Sequence, residues 1–217
     1  MTKRILFQGD SITDCGRNRD DITATGVGYP LMVKAQLGYE NPCGYEFINK
    51  GISGNRIVDV YARIKLDIIN LKPDVMSLLI GVNDVWHELG GRHNGVGAAK
   101  FEKIYDMLIG EIKEALPDVK IMILEPFVLE GTATCPTEAE PERWDYFRTE
   151  VPLRAAAAKR VAEKYGLPFI PLQEKLDEAC GRAPADYWLK DGVHPTAMGH
   201  WLITKEWLAA FGEMQNA

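Results

Sequence analysis

The sequence is poor in cysteine and shows no pattern in the few it has. Cys15, Cys43, Cys135 and Cys180 are scattered through 217 residues, and no two stand in C-x-x-C spacing. A zinc ribbon or a dithiol redox motif is therefore not expected. A chain of this length can bury roughly 70% of its unfolded surface without staples. The four thiols read as reduced cysteines of a cytosolic protein, with a disulfide pair as the alternative. There is no Asn-x-Ser/Thr sequon and no apolar run approaching a membrane span. After Met1 and Thr2, residues 3–7 hold two charges and three apolar side chains. That is too little for a secretory leader, so a cytoplasmic location is expected. Positive charge is also short: 25 Lys and Arg stand against 31 Asp and Glu, net −6, and no basic run exceeds two. Nucleic acid and anionic membranes need a basic face, so neither is an expected partner. No G-x-G-x-x-G follows the first apolar run. The Gly90–Gly97 stretch lacks the Gly-Lys-Ser/Thr ending of a phosphate loop, since Lys100 precedes Phe101. Nicotinamide and phosphate-loop chemistry are disfavoured on that basis.

What is present is an ordinary globular composition, 46% hydrophobic and 26% charged. With no internal repeat and no linker, one domain over residues 1–217 is expected. Short apolar runs occur at Arg4–Gln8, Tyr45–Asn49, Val75–Ile80, Lys120–Glu125 and Pro168–Pro171. Between them lie helix-period segments. Ile57, Val60, Tyr61, Ile64 and Ile68 share one face; Phe101, Ile104, Tyr105, Leu108, Ile112 and Ala115 share another. Leu153–Tyr165 is Ala-rich and stops at Gly166, and Thr196 is placed to cap a last helix ending near Phe211. Continuous apolar strands alternating with helices predict a five-stranded parallel sheet in a three-layer α/β/α sandwich. Trp86–Gly97 and Phe127–Phe147 lack periodicity and read as loops after strand ends.

Open parallel sheets carry their sites at the carboxyl ends of the strands. After the first strand come Gly9, Asp10 and Ser11; after the second, Gly51-Ile-Ser-Gly54-Asn55; after the third, Gly81-Val-Asn83-Asp84. Before the last helix come Asp191, Gly192, Val193 and His194. A serine in a strand-to-helix turn can face a cleft, but its hydroxyl needs a base. His194 supplies an imidazole, and Asp191, three residues earlier, can hold the other ring nitrogen. An oxyanion formed on attack needs fixed donors, which the Ser11 N–H, the Gly54 N–H and the Asn83 amide could provide. Singly, each piece is more often a turn or a cap. Together at successive strand ends they describe a nucleophilic hydrolase.

In this arrangement the chain resembles the SGNH, or GDSL-type, hydrolases, whose four blocks correspond here to Ser11, Gly54, Asn83 and His194, in the family's order. The first block reads Gly-Asp-Ser-Ile in place of Gly-Asp-Ser-Leu. The runs GDSITDCGR, NKGISGN, IGVNDVW and DGVHPTAMGH are similar, more narrowly, to the small intracellular acetylxylan esterases of that family. The resemblance implies a flavodoxin-like sheet and a two-step mechanism. Ser11 forms an acyl-enzyme, His194 passes the proton to the sugar alcohol, and water releases acetate. It implies no metal and no organic cofactor, and an acetylated carbohydrate, such as a xylo-oligosaccharide, as the small-molecule partner. Many such enzymes form homo-oligomers, for which exposed tryptophans could serve.

Other residues have competing readings. Trp86 and Trp188 are candidate platforms for a sugar face or packing aromatics. Trp201 and Trp207 read as packing or interface residues of the last helix. Asp10 reads as a turn-stabilising carboxylate, Cys15 as a small buried side chain, and Arg17 and Arg19 as part of a solvated loop. Arylesterase, thioesterase and lysophospholipase activities belong to the same class. From other classes, Asp10, Asp14, Asp84, Asp191 and His194 could be ligands of a metal-dependent phosphohydrolase, or the fold could serve as a sugar-binding module without catalysis.

Overall fold

The computed structural model describes residues 2–216; Met1 and Ala217, the ends of the expected 1–217 span, lie outside the described residues. The apolar runs form strands β1 (Lys3–Gly9), β2 (Tyr45–Asn49), β3 (Val75–Leu79), β4 (Lys120–Leu124) and β5 (Phe169–Ile170). All pair in parallel in one sheet of order β2-β1-β3-β4-β5. Parallel neighbours require a crossover, and the crossovers here are helical. The crossover helices are α1 (Ser11–Asp14), α2 (Tyr29–Glu40), α3 (Ile57–Ala62), α4 (Ile64–Asp67), α5 (Val82–Trp86), α6 (Ala98–Ala115) and α7 (Arg143–Tyr165), and α8 (Gln173–Cys180), α9 (Ala185–Trp188) and α10 (Ala197–Asn216) follow the last strand.

Helices cover both faces of the sheet, and its central strand β3 is buried at every position. Strand alternation divides the core. Ile5 and Phe7 of β1 join Tyr29, Val33 and Leu37 of α2 and Trp207 and Phe211 of α10. Leu6 joins the opposite cluster with Ile57 and Val60 of α3, Phe101 to Ile112 of α6 and the small Ala157, Ala158 and Ala162 of α7. Each fully buried Leu, Ile or Phe side chain contributes about 1.5–3 kcal/mol.

Three helical segments depart from their sequence pattern. The Ile57–Ile68 face is split at Arg63, whose φ of −114° separates α3 from α4. Helix α7 begins at Arg143, ten residues before the expected Leu153, and runs through Pro152. Proline removes the bond to the carbonyl four residues back. That carbonyl belongs to Arg148, which is exposed, so water can take the missing bond. The last helix also continues to Asn216, beyond the expected Phe211.

The register places the site. Phe7 pairs with Asn49 on one side and Ser77 on the other, so β1, β2 and β3 end at a common edge. The chain moves outward from β1 in both directions, making β1/β3 the switch point where α/β sheets open a crevice.

Candidate active site

Ser11 is the first residue of α1, immediately after β1. Asp10 holds that turn: its carboxylate accepts the Ile12 N–H at 3.0 Å. Burial pushes the Asp10 carboxyl up to about 7, against the opposing effect of that hydrogen bond. Asp10 therefore caps the helix and faces away from solvent.

Ser11 Oγ lies 3.0 Å from His194 Nε2, across 183 residues of chain. His194 Nδ1 lies 2.7 Å from Asp191 Oδ2. The other carboxylate oxygen of Asp191 accepts the backbone N–H groups of Val193 at 3.0 Å and His194 at 2.8 Å. Burial acts to raise the Asp191 carboxyl, but the N–H and ring donors of His194, with the Val193 N–H, together hold it below the usual carboxylate range. An anionic Asp191 can only accept, so the proton of neutral His194 sits on Nδ1 and Nε2 presents its lone pair to the Ser11 hydroxyl. The side chains of His194 and Asp191 retain 28% and 21% of their accessible surface, so water can reach the relay.

The loop after β2 approaches from the other side. Ile52 N–H donates to Gly9 O at 3.1 Å, and Asn83 Nδ2 donates to Asn55 O at 3.1 Å. These bonds hold Gly54 between the end of β1 and α5. Gly54 has φ +83°, a conformation that disfavours a side chain. Neither Ser11 N–H nor Gly54 N–H donates to an acceptor among the described residues. With the Asn83 amide they are three donors at adjoining strand ends, the arrangement that stabilises a developing oxyanion.

Trp86 ends α5, within a segment expected to be loop, and its ring centroid lies 6.0 Å from that of His194. Phe147 packs edge-on to it at 5.9 Å, and Arg143 lies over both rings. Trp188 is not brought to this cleft. Its ring is buried under Arg182, its Nε1 donates to Ala183 O, and it lines a groove with α8 and α10. The expectation that it forms a sugar platform is therefore not carried further. Trp207 is wholly buried inside the chain, which removes it as an interface residue, whereas Trp201 is exposed.

The structure adds contacts that the sequence did not reveal. The segment 128–135 braces Asp191: Leu129 N–H donates to Gly192 O and Ala133 N–H to Asp191 O, each at 2.9 Å. Arg17 is not solvated, because its side chain is 6% exposed and its Nε donates to Gly51 O. Cys15 is half-buried, with Sγ 3.3 Å from His200 Nε2, and burial pushes its thiol up. The carboxylates of the phosphohydrolase alternative go to separate donors. Asp10 caps α1, Asp14 receives Arg19 and Ser53, Asp84 receives the Ile57 N–H, and Asp191 receives His194. Among the described residues no three His, Cys, Asp or Glu side chains gather as a metal-binding group. Among them, too, no helix is long and apolar enough to cross a membrane.

Comparison with known proteins agrees with this fold. The acetylxylan esterase of Geobacillus stearothermophilus is 32% identical over 97% of this chain and 94% of its own length. Its crystal structure superposes with a TM-score of 0.83. A GDSL-like protein from Parabacteroides merdae superposes at 0.88, with 35% identity over 98% of this chain and 97% of its own. An α/β hydrolase enzyme from the Lake Arreo metagenome superposes at 0.84, with 28% identity over 98% and 97%. Residues 7–202 match the GDSL-like lipase/acylhydrolase family, a span running from β1 into α10 and containing every strand-end block described above. On that match and that identity the chain belongs to the GDSL-like lipase/acylhydrolase family and is a carboxylic ester hydrolase.

Proposed function

We propose that the chain is a serine esterase that removes acetyl groups from small acetylated carbohydrates, with acetylated xylo-oligosaccharides as substrate. The Ser11–His194–Asp191 relay, at 3.0 and 2.7 Å, is the observation that carries the mechanism. The substrate class rests on the acetylxylan esterase that is 32% identical across nearly the whole chain.

In this reading Ser11 Oγ attacks the acetyl carbonyl as its proton passes to His194 Nε2. Asp191 keeps the imidazole oriented and stabilises its cationic form without taking the proton. The carbonyl oxygen becomes an oxyanion held by the N–H groups of Ser11 and Gly54 and the Asn83 amide. His194 then returns its proton to the sugar oxygen, and the sugar alcohol leaves. Water, deprotonated by His194, attacks the acetyl-Ser11 ester. Acetate leaves and the Ser11 hydroxyl is restored. Trp86, beside His194, is the wall against which an apolar sugar face can stack. Each step is a proton or acyl transfer among these groups. The unpaired cysteines suit a reducing compartment, and we place the activity in the cytoplasm.

The test is acetate release from acetylated xylo-oligosaccharide by wild type and Ser11→Ala. Wild type is expected to release acetate, and the variant to lose about 10⁴-fold or more in kcat while keeping its fold. Turnover retained by Ser11→Ala overturns the serine mechanism. Acetate release from p-nitrophenyl acetate alone overturns the carbohydrate substrate.

A further inference from the structure

One buried acid stands outside this mechanism yet ties the helix that begins with Ser11 to the residue before Gly54. Asp14 ends α1, the helix that begins with Ser11, and is 3% exposed. Its Oδ2 accepts the Ser53 N–H and the Ser53 hydroxyl, each at 3.0 Å, and Arg19 Nη2 at 2.6 Å. Arg17 lies against its other oxygen at 3.7 Å and donates to Gly51 O at 3.0 Å. The carboxylate thus ties Ser53, the residue before Gly54, to the helix that carries the nucleophile. Burial alone would raise the Asp14 carboxyl, but Arg19 and the two Ser53 donors hold it below the usual range, so the group is a charged acceptor throughout the neutral region.

Most neighbouring groups in this loop are already anchored. Gly51 N–H donates to Asn49 Oδ1, Ile52 N–H to Gly9 O, and Asn55 N–H to Ile52 O. Gly54 N–H is left free of any acceptor among the described residues. A donor aimed at a transition-state oxygen must be held before the charge develops, because reorienting it during reaction forfeits much of its effect. Ser53 is the last anchor before that donor, and Asp14 is what holds it.

We propose that Asp14, acting through Ser53, is the positioning residue that fixes the Gly54 N–H relative to Ser11 for oxyanion stabilisation. The inference rests on the serine-esterase reading above. Asp14 touches no reacting atom. It sets the distance between a nucleophile at one end of α1 and a donor on the loop after β2. Its effect should therefore fall on kcat, with KM for a small ester little changed.

The test compares Asp14→Ala, Asp14→Asn, Ser53→Ala and Ser11→Ala with wild type on p-nitrophenyl acetate. Alongside it, the Kd of phenylboronic acid is measured, which bonds through boron to the serine oxygen and places a tetrahedral oxygen in the hole. Asp14→Ala is expected to lower kcat roughly tenfold to a hundredfold with KM within about twofold, and to weaken boronate by a similar factor. Asp14→Asn keeps one acceptor for Ser53 and should recover part of the loss. Ser53→Ala keeps its N–H and should show a smaller loss of the same kind, which preserves the test if Asp14→Ala does not fold. Wild-type kcat and boronate affinity in folded Asp14→Asn and Ser53→Ala, or a loss in stability alone, overturns the assignment while Ser11→Ala remains inactive. If Ser11→Ala keeps its turnover, it is the serine mechanism that falls, and this inference with it.

Discussion

Several of the buried ionisable side chains define the site's surroundings, and two of them push stability in opposite directions with pH. His200 begins α10's second turn, is 4% exposed, and accepts the Tyr29 N–H through Nδ1 at 3.1 Å. Burial, with smaller effects from the charges of His194 and Lys190, lowers its pKa to about 4. The unfolded chain takes up this proton near the ordinary value of 6.5 while the folded chain resists it. The contribution of His200 is therefore complete above pH 6.5 and is lost as pH falls toward 4, by about 2 kcal/mol at pH 5. Asp10 has the reverse sign. Its pKa is raised from 3.8 to about 7, so its contribution is present below 3.8 and is lost as pH rises through 7. The two slopes oppose each other between pH 5 and 6.5. Asn at position 200 can still offer an amide oxygen to the Tyr29 N–H but takes up no proton. Calorimetry of His200→Asn is expected to show stability rising on acidification from pH 7 to 5, with wild type nearly flat. Parallel profiles for the two proteins would refute this account.

At the scale of elements, the apolar strands were legible because a strand buried on both faces is apolar almost throughout, as in Val75–Leu79, where only Ser77 is polar. The members of the Ser11–His194–Asp191 hydrogen-bonded set and the glycine block were legible because each follows a strand end or precedes the last helix. Helix α1 was too short to have a period. Helix α2 carried a usable signal, Tyr29, Val33 and Leu37 at four-residue spacing behind a proline at its start, which went unread. The start of α7 was obscured by Pro152, whose effect depends on whether the orphaned carbonyl meets solvent. The Asp14–Ser53 contact spans 39 residues, so its partners are fixed by the packing of α1 on the β2 loop and not by spacing. The segment 127–147 was expected to be loop throughout. Its first part buttresses Asp191, and its end is the first turn of α7. At Gly131 an added Cβ would lie 2.4 Å from the Asp191 carbonyl carbon and the Gly192 nitrogen. Backbone atoms cannot yield as a flexible side chain can, so Gly131→Ala must displace the Asp191 turn. A displacement near 1 Å is enough to lower kcat roughly a hundredfold. Kinetics and a urea midpoint on the same sample decide this, and unchanged kcat in a folded Gly131→Ala would show that the segment does not position the triad.

For the molecule as a whole, α10 joins the site to the core. It starts three residues after His194, capped by Thr196, whose hydroxyl accepts the Gly199 N–H at 3.3 Å. Its buried face sets Trp207 against Phe7 of β1 at 5.6 Å and against Phe211 at 5.1 Å. The strand that leads into Ser11 and the helix that follows His194 are thus packed through one aromatic contact, although the two catalytic candidates are 183 residues apart in sequence. Trp207→Ala removes a fully buried ring and is expected to destabilise by about 3–5 kcal/mol. The Trp207 Nε1 is buried without a hydrogen-bond partner among the described residues, so Trp207→Phe removes an unpaired donor along with some volume. That offset should leave the phenylalanine variant clearly more stable than the alanine one. Trp201, on the exposed side of the same helix, makes no such contribution, and Trp201→Ala should keep the wild-type urea midpoint at protein concentrations low enough to separate any subunits. The expected order in urea is wild type and Trp201→Ala together, then Trp207→Phe, then Trp207→Ala. A large loss in Trp201→Ala at low concentration would mean that α10 is stabilised from its outer face, and that the Phe7–Trp207 contact is not what ties the nucleophile's strand to the histidine's helix.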